Sequence, residues 1–128
     1  MTDGHRPVVA VVDDDDGVRD SLRFLLETAG YDVVAYDSAE AYLNDQAARP
    51  PACLVLDQHM PQITGVELLD LLRTRGVRLP IALITGSPSD ELARRANALG
   101  VARILEKPLT DDSLLRFVQC ATSGRLSR

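Results

Sequence analysis

The chain has 128 residues, 45% of them hydrophobic and 26% charged, the balance of one globular domain long enough to bury a core. Its net charge of −5 argues against an electrostatic grip on nucleic acid or on an anionic membrane surface. No stretch approaches the roughly 18 apolar residues of a membrane span.

Residues 1–7 carry no apolar core behind their charge, so they read as a flexible N-terminus and not as a signal peptide. Val8-Val9-Ala10-Val11-Val12 is apolar, rich in β-branched types and preceded by Pro7, which predicts a buried strand. Four adjacent carboxylates follow, Asp13 to Asp16. They repel one another, so a purely structural role is costly unless they are well solvated. Asp16 is placed to cap the next helix, which shows Val18, Leu22, Leu25, Leu26 and Ala29 at helical spacing and stops at Gly30.

Tyr31 to Tyr36 reads as a second strand. Asp37-Ser38 then caps a short helix through Ala39, Ala41, Tyr42 and Leu43, with Asp37 taken as the capping residue. Ala47 to Pro51 is a loop. Cys53-Leu54-Val55-Leu56-Asp57 lies between Pro50-Pro51 and Pro61, a run too short for a helix, and ends in a carboxylate. Thr64-Gly65-Val66-Glu67 fits a capping box for a helix carrying Val66, Leu69 and Leu72 inward and ending near Gly76. Ile81 to Gly86 is a fourth apolar strand that ends in a hydroxyl, Thr85. Ser87-Pro88-Ser89-Asp90 starts a helix closed by Gly100. Ala102 to Glu106 is a weaker fifth strand, ended by Lys107-Pro108, and Thr110-Asp111-Asp112 opens a last helix through Leu114, Leu115, Val118 and Ala121. Cys53 sits in an apolar run and Cys120 in a helical pattern, so both read as small buried hydrophobes and not as a disulfide or metal pair, which predicts a reducing, cytoplasmic home. Lys107 is the only lysine beside 13 arginines.

Five strands alternating with five helices predict an α/β fold with one doubly wound, five-stranded parallel sheet. In such a sheet ligands sit outside the carboxyl ends of the strands. Those ends carry Asp13 and Asp14, Asp57, Thr85 and Lys107. Converging carboxylates call for a hard divalent cation, which takes oxygen ligands and keeps several waters. A lysine supplies a point charge for a phosphoryl oxygen, a threonine a neutral donor, and an aspartate can itself become an aspartyl-phosphate. The set suffices to move a phosphoryl group onto a carboxylate.

Val12-Asp13-Asp14, Leu56-Asp57 with Met60-Pro61 and Gly65, Ile84-Thr85-Gly86 and Lys107-Pro108 together resemble the receiver domains of two-component response regulators, over roughly Val8 to Ala121. The resemblance implies a flavodoxin-like (βα)5 domain over residues 8–122 with strand order 2-1-3-4-5, followed by a polar tail or linker start at 123–128. It implies phosphorylation of Asp57 by a sensor histidine kinase. Mg²⁺ or Mn²⁺ would be held by Asp14, Asp57 and the backbone carbonyl of His59, with Asp13 acting mainly through water. Thr85 and Lys107 would contact the phosphoryl oxygens, and Thr85 with Ile104 would form the switch. The implied chemistry is self-catalysed phosphorylation and dephosphorylation, with no other enzyme activity. The implied output is a phosphorylation-dependent homodimer or docking face. The stretches 38–43 and 83–86 look most like the subgroup that drives a LuxR-type DNA-binding domain, with no nucleic-acid or membrane contact by the receiver itself. Two positions depart from the family: Ile104 stands where an aromatic is usual, and His59 puts a titratable side chain two residues after the phosphoacceptor.

Two other readings compete. A haloacid-dehalogenase-type phosphatase would use Asp14-Asp15-Asp16-Gly17-Val18 with Asp14 as nucleophile, but leaves Asp57 without a role. A degenerate receiver would serve only as a binding module, against which the intact set of five residues argues.

Overall fold

The computed structural model describes residues 6–45 and 50–123. Ten elements alternate: β1 (Val8–Val12), α1 (Asp16–Thr28), β2 (Asp32–Tyr36), α2 (Ala39–Asn44), β3 (Cys53–Asp57), α3 (Gly65–Thr74), β4 (Ile81–Thr85), α4 (Asp90–Ala98), β5 (Arg103–Glu106) and α5 (Asp111–Thr122). The strands form one parallel sheet in the order β2-β1-β3-β4-β5. The expected strand order and helix count therefore stand.

Strand alternation divides the core in two. Val9, Val11, Cys53, Val55, Ala82 and Ile84 point to one face, where Leu22 and Leu26 of α1 and Leu114, Phe117 and Val118 of α5 cover them. Ala10, Val12, Leu54, Leu56, Ile81 and Leu83 point to the other, under Ala39 of α2, Leu68, Leu69 and Leu72 of α3, and Ala96 of α4. Being covered on both faces explains why β1, β3 and β4 are continuous apolar runs. β2 and β5 are the edges, and only Val33 of β2 is buried. β2 starts at Asp32, one residue later than expected.

The helix starts refine two sequence expectations. The cap of α1 is Asp15, whose Oδ1 accepts from Val18 N–H at 3.0 Å, and Asp16 is the first helical residue. The cap of α2 is Ser38, which accepts from Ala41 N–H, and not Asp37. In each pair either residue offers a suitable oxygen, and the direction in which the chain enters the helix decides between them. The capping box at α3 is present, with Thr64 and Glu67 exchanging both hydrogen bonds.

Arg6, assigned from sequence to a flexible N-terminus, is tied down. Its guanidinium donates to the carbonyls of Glu27, Gly30 and Tyr31 at 2.7–3.1 Å, bracing the turn between α1 and β2. Residues 1–5, most of the 47–51 loop and the tail beyond Ser123 lie outside the described residues. Both cysteines are free thiols, Cys53 buried and Cys120 partly so. Among the described residues no helix is long and apolar enough to cross a membrane.

Candidate functional site

The sheet register dictates which side chains meet. Val11 pairs with Val55, so two residues further along each strand Asp13 and Asp57 come side by side on the same face. Thr85 is the last residue of β4, one beyond the Asp57–Ile84 pair. Lys107 follows β5, and its N–H donates to Thr85 O at 2.9 Å. Backbone pairing thus carries four of the predicted residues to one end of the sheet.

Asp13, Asp14 and Asp57 each offer a carboxylate oxygen within 4.8 Å of the others. Asp13, Asp57 and Thr85 are buried while Asp14 is exposed. Burial pushes the Asp13 carboxyl above the usual carboxylate range, and repulsion from Asp57 and Asp14 adds to the shift. The Asp15 N–H, which donates to Asp13 Oδ1 at 2.9 Å, and the Lys107 ammonium oppose it. Lys107 Nζ lies 3.1 Å from Asp57 Oδ1. The pair is ionic by distance but lacks hydrogen-bond alignment, and among the described residues Asp57 Oδ1 is the one buried side-chain oxygen or nitrogen without a hydrogen bond. An orphaned buried carboxylate oxygen is rare and points to a ligand. The donor set, all oxygen and three carboxylates strong, fits a hard divalent cation.

Thr85 Oγ1 accepts from Ser87 N–H at 3.0 Å and lies 3.3 Å from His59 Nε2. Ile104 is half-buried and packs against the core on the α3–α4 face, paired in register with Leu83.

Four residues shape the site without bringing reactive chemistry to it, and of these only Gly65 figures in the sequence motifs. Arg19 reaches back from α1 to donate to Asp13 O at 2.7 Å and also pairs with Asp16, holding the acidic loop. Its only sequence signal is a positive charge one turn after four acids. Gln58 is fixed three ways: its N–H donates to Ile84 O at 2.8 Å, its carbonyl accepts from Gly65 N–H at 3.1 Å, and its side-chain Oε1 accepts from Val66 N–H at 2.8 Å. Gly65 lets α3 start against β3, for a Cβ there would stand 2.6 Å from Asp57 O. Gln62 adopts a positive φ of 73° with Ile63 N–H bonded back to Pro61 O, a tight γ-turn that closes the Asp57 loop.

This geometry can hold a hard cation, place a carboxylate oxygen for attack and offer a lysine and a hydroxyl to a phosphoryl group. The profile of the response regulator receiver domain matches residues 9–119. The chain is 43% identical over 117 residues to the transcriptional regulatory protein FixJ of Azorhizobium caulinodans, covering 91% of this chain and 55% of that protein. It is 39% identical over 120 residues to FixJ of Bradyrhizobium diazoefficiens, covering 94% of this chain and 57% of that one. The chain thus spans little more than half the length of these curated relatives. The crystal structure of FixJ-N superposes with a TM-score of 0.82 at 34% identity, covering 96% of each chain. The dehalogenase-type reading falls with this match, and it had left without a role the very carboxylate that the fold buries at the centre of the site. Strand order, carboxylate cluster and sequence all converge, and the chain belongs to the receiver domains of two-component response regulators.

Proposed function

We propose that Asp57 is the phosphoacceptor and that a sensor histidine kinase is the donor. The observation that carries this is the buried Asp57 Oδ1, without a hydrogen bond, 3.1 Å from the only lysine of the chain and grouped with two further carboxylates. In the reaction an Asp57 oxygen attacks phosphorus, a P–O bond forms, and the P–N bond to the donor imidazole breaks with the electron pair leaving on nitrogen. Asp13, Asp14, Asp57 and the backbone carbonyl of His59 would hold Mg²⁺ or Mn²⁺, Asp13 mainly through water. The bound cation supplies charge neutralisation for the carboxylates and the phosphoryl oxygens. Lys107 gives a compact point charge to one phosphoryl oxygen, and the Thr85 hydroxyl donates a hydrogen bond to another. Dephosphorylation is attack of water on the same phosphorus, so phosphorylation and its reversal are the chain's own chemistry.

The signal leaves through β4 and β5: Thr85 moves toward the phosphoryl group and Ile104 turns into the space it vacates, altering the face formed by α4, β5 and α5. The altered face becomes a homodimer contact or a docking face for a DNA-binding output domain. The relatives' name as transcriptional regulators, and the half of their length that this chain spans, support that output. Two free thiols suit the reducing cytoplasm in which the partners would meet.

The test is intact mass after incubation with acetyl phosphate and Mg²⁺. Wild type is expected to gain one phosphoryl group and Asp57→Asn none. Normal stoichiometry in Asp57→Asn would sink the assignment.

A further inference from the structure

Thr85 is fully buried, yet its hydroxyl is the group that the reading above assigns to a phosphoryl oxygen. A hydroxyl has one proton to donate and two acceptor positions. Ser87 N–H fills one acceptor position at 3.0 Å, and among the described residues the hydroxyl's other polar side-chain or backbone neighbour within hydrogen-bond distance is His59 Nε2 at 3.3 Å. The hydroxyl proton therefore has one protein destination, the imidazole nitrogen. Leaving it unplaced in a buried position would incur the desolvation penalty of an unmade hydrogen bond. Nε2 is then the acceptor, and the ring hydrogen sits on Nδ1, the less favoured tautomer of a free histidine.

The ring is held in this pose by a rigid support. His59 is exposed as a residue, but its neighbour Gln58 is pinned to Ile84, Gly65 and Val66 by three hydrogen bonds. The backbone that projects His59 toward Thr85 is thus fixed on two sides, between β4 and the start of α3.

We propose that His59 is a latch on Thr85, a positioning residue that keeps the hydroxyl proton away from the phosphoryl site until Asp57 is modified. The inference rests on the assignment of Thr85 as a phosphoryl partner. A single O–H cannot donate to the imidazole and to a phosphoryl oxygen together. Phosphorylation therefore exchanges one acceptor for the other, and the His59 contact opposes the switch by the worth of one hydrogen bond. Removing the acceptor should favour the phosphorylated arrangement by about two- to tenfold. Ring shape alone should do nothing.

Two measurements test this. The first is on the unphosphorylated protein, with ring ¹⁵N shifts recorded in a His5→Gln background at a pH where the imidazole is neutral. The expected result is the Nδ1–H tautomer for His59, lost in Thr85→Val. The second is the affinity for beryllofluoride, a phosphoryl mimic, with Mg²⁺ present. His59→Phe keeps a ring without an acceptor and should bind about two- to tenfold tighter than wild type. His59→Gln places an amide oxygen where Nε2 stands and should stay near wild type. In the Thr85→Val background the gain from His59→Phe should vanish. An Nε2–H tautomer in wild type overturns the latch, as do equal affinities of His59→Phe and His59→Gln, or a gain that survives in Thr85→Val. Should Thr85→Val not fold, the wild-type tautomer and the Phe–Gln comparison decide. Failure of wild type to bind beryllofluoride would sink the phosphoacceptor reading instead, and the tautomer would still judge the latch.

Discussion

Gly65→Ala should destabilise the domain, although replacing a glycine within a helix by alanine ordinarily stabilises it by up to about 1 kcal/mol. A Cβ at this first residue of α3 would stand 2.6 Å from Asp57 O, 2.7 Å from Leu83 Cδ1 and 2.9 Å from Gln58 Cα. These approaches are about 0.5–1 Å short of ordinary contact, and two of the three neighbours are backbone atoms of a pinned loop. Relief requires the start of α3 to retreat from β3, which stretches the Gly65 N–H to Gln58 O and Val66 N–H to Gln58 Oε1 hydrogen bonds. Overpacking of this kind costs about 1–3 kcal/mol, and the two hydrogen bonds about 0.5–1.5 kcal/mol each. Set against a propensity gain of about 1 kcal/mol, the net loss is about 1–5 kcal/mol, on the order of 4–18 °C in Tm for a domain of this size. Gly86→Ala is the control: its Cβ would lie 3.7 Å from Lys107 Cδ, ordinary contact, and should be neutral or stabilising by up to about 1 kcal/mol. Thermal and urea unfolding of the three proteins give the comparison. If Gly65→Ala melts no lower than Gly86→Ala, the close approach of α3 to the Asp57 carbonyl is not there. A displaced Asp57 carbonyl should also slow phosphoryl uptake from acetyl phosphate, measured by mass at fixed times.

Arg73 donates to the carbonyls of Leu99, Val77, Leu79 and Gly100 at 2.8–3.2 Å, so Arg73→Met should lose about 3 kcal/mol in urea unfolding and Arg73→Lys should recover less than half, since an ammonium cannot span four acceptors. Cys53 is sealed in the core with its thiol pushed up to about 12 by burial, so iodoacetamide should label Cys120 alone in the native protein. The unfolded thiol ionises near pH 8.5 while the folded one keeps its proton; stability therefore falls as pH rises above that value, by up to about 1.4 kcal/mol per unit, a slope that Cys53→Ala should lack. In chelator, Asp13→Asn should unfold later than wild type, because the folded Asp13 carboxyl is raised by burial first and by its acidic neighbours second. The wild type is favoured below the ordinary carboxylate range and loses that advantage as pH rises through the folded value, so the gap should widen toward neutral pH; a flat gap counts against it. Mg²⁺ at ten times its Kd should add about 1.4 kcal/mol to wild type, and Asp14→Ala should lose most of that response.

The residues that the sequence made legible are those whose chemistry differs from their surroundings. Asp57, Thr85 and Lys107 each end or follow an apolar run at a change of character, and the parallel register then brings them together. The strand order came from family resemblance, because hydrophobic runs say which strands are buried and not which strands are neighbours. The caps of α1 and α2 were displaced by one residue, since Asp15 and Asp16, or Asp37 and Ser38, offer interchangeable oxygens. Arg73 and Gln58 were illegible for a different reason. Their partners are backbone groups, which every residue carries, and for Arg73 two of them lie 26 and 27 residues away. Arg6 was misassigned for the same reason.

The acidic cluster is held in place by backbone, and that explains how so much like charge survives in one fold. Each functional residue is pinned just past the end of its strand: Asp13 N–H to Tyr36 O at 3.1 Å, Gln58 N–H beside Asp57 to Ile84 O at 2.8 Å, Lys107 N–H to Thr85 O at 2.9 Å. The hydrogen-bond ladder continues where the apolar side chains stop, so the main chain cannot relax to separate the carboxylates. Two unit charges 4.8 Å apart repel by about 3 kcal/mol at an effective dielectric constant of 20, a sizeable fraction of the 5–15 kcal/mol that holds a domain together. Lys107 offsets part of this for Asp57, but Asp57 Oδ1 remains without a hydrogen bond. Two-sided burial of β1, β3 and β4 supplies the stability that such a site consumes. A rigid scaffold that prevents its own charges from relaxing leaves neutralisation to whatever binds. Occupancy of the site and stability of the sheet are therefore linked, and under the function proposed above a cation or phosphoryl group arriving at Asp57 would be felt along the strands that carry Asp13 and Thr85.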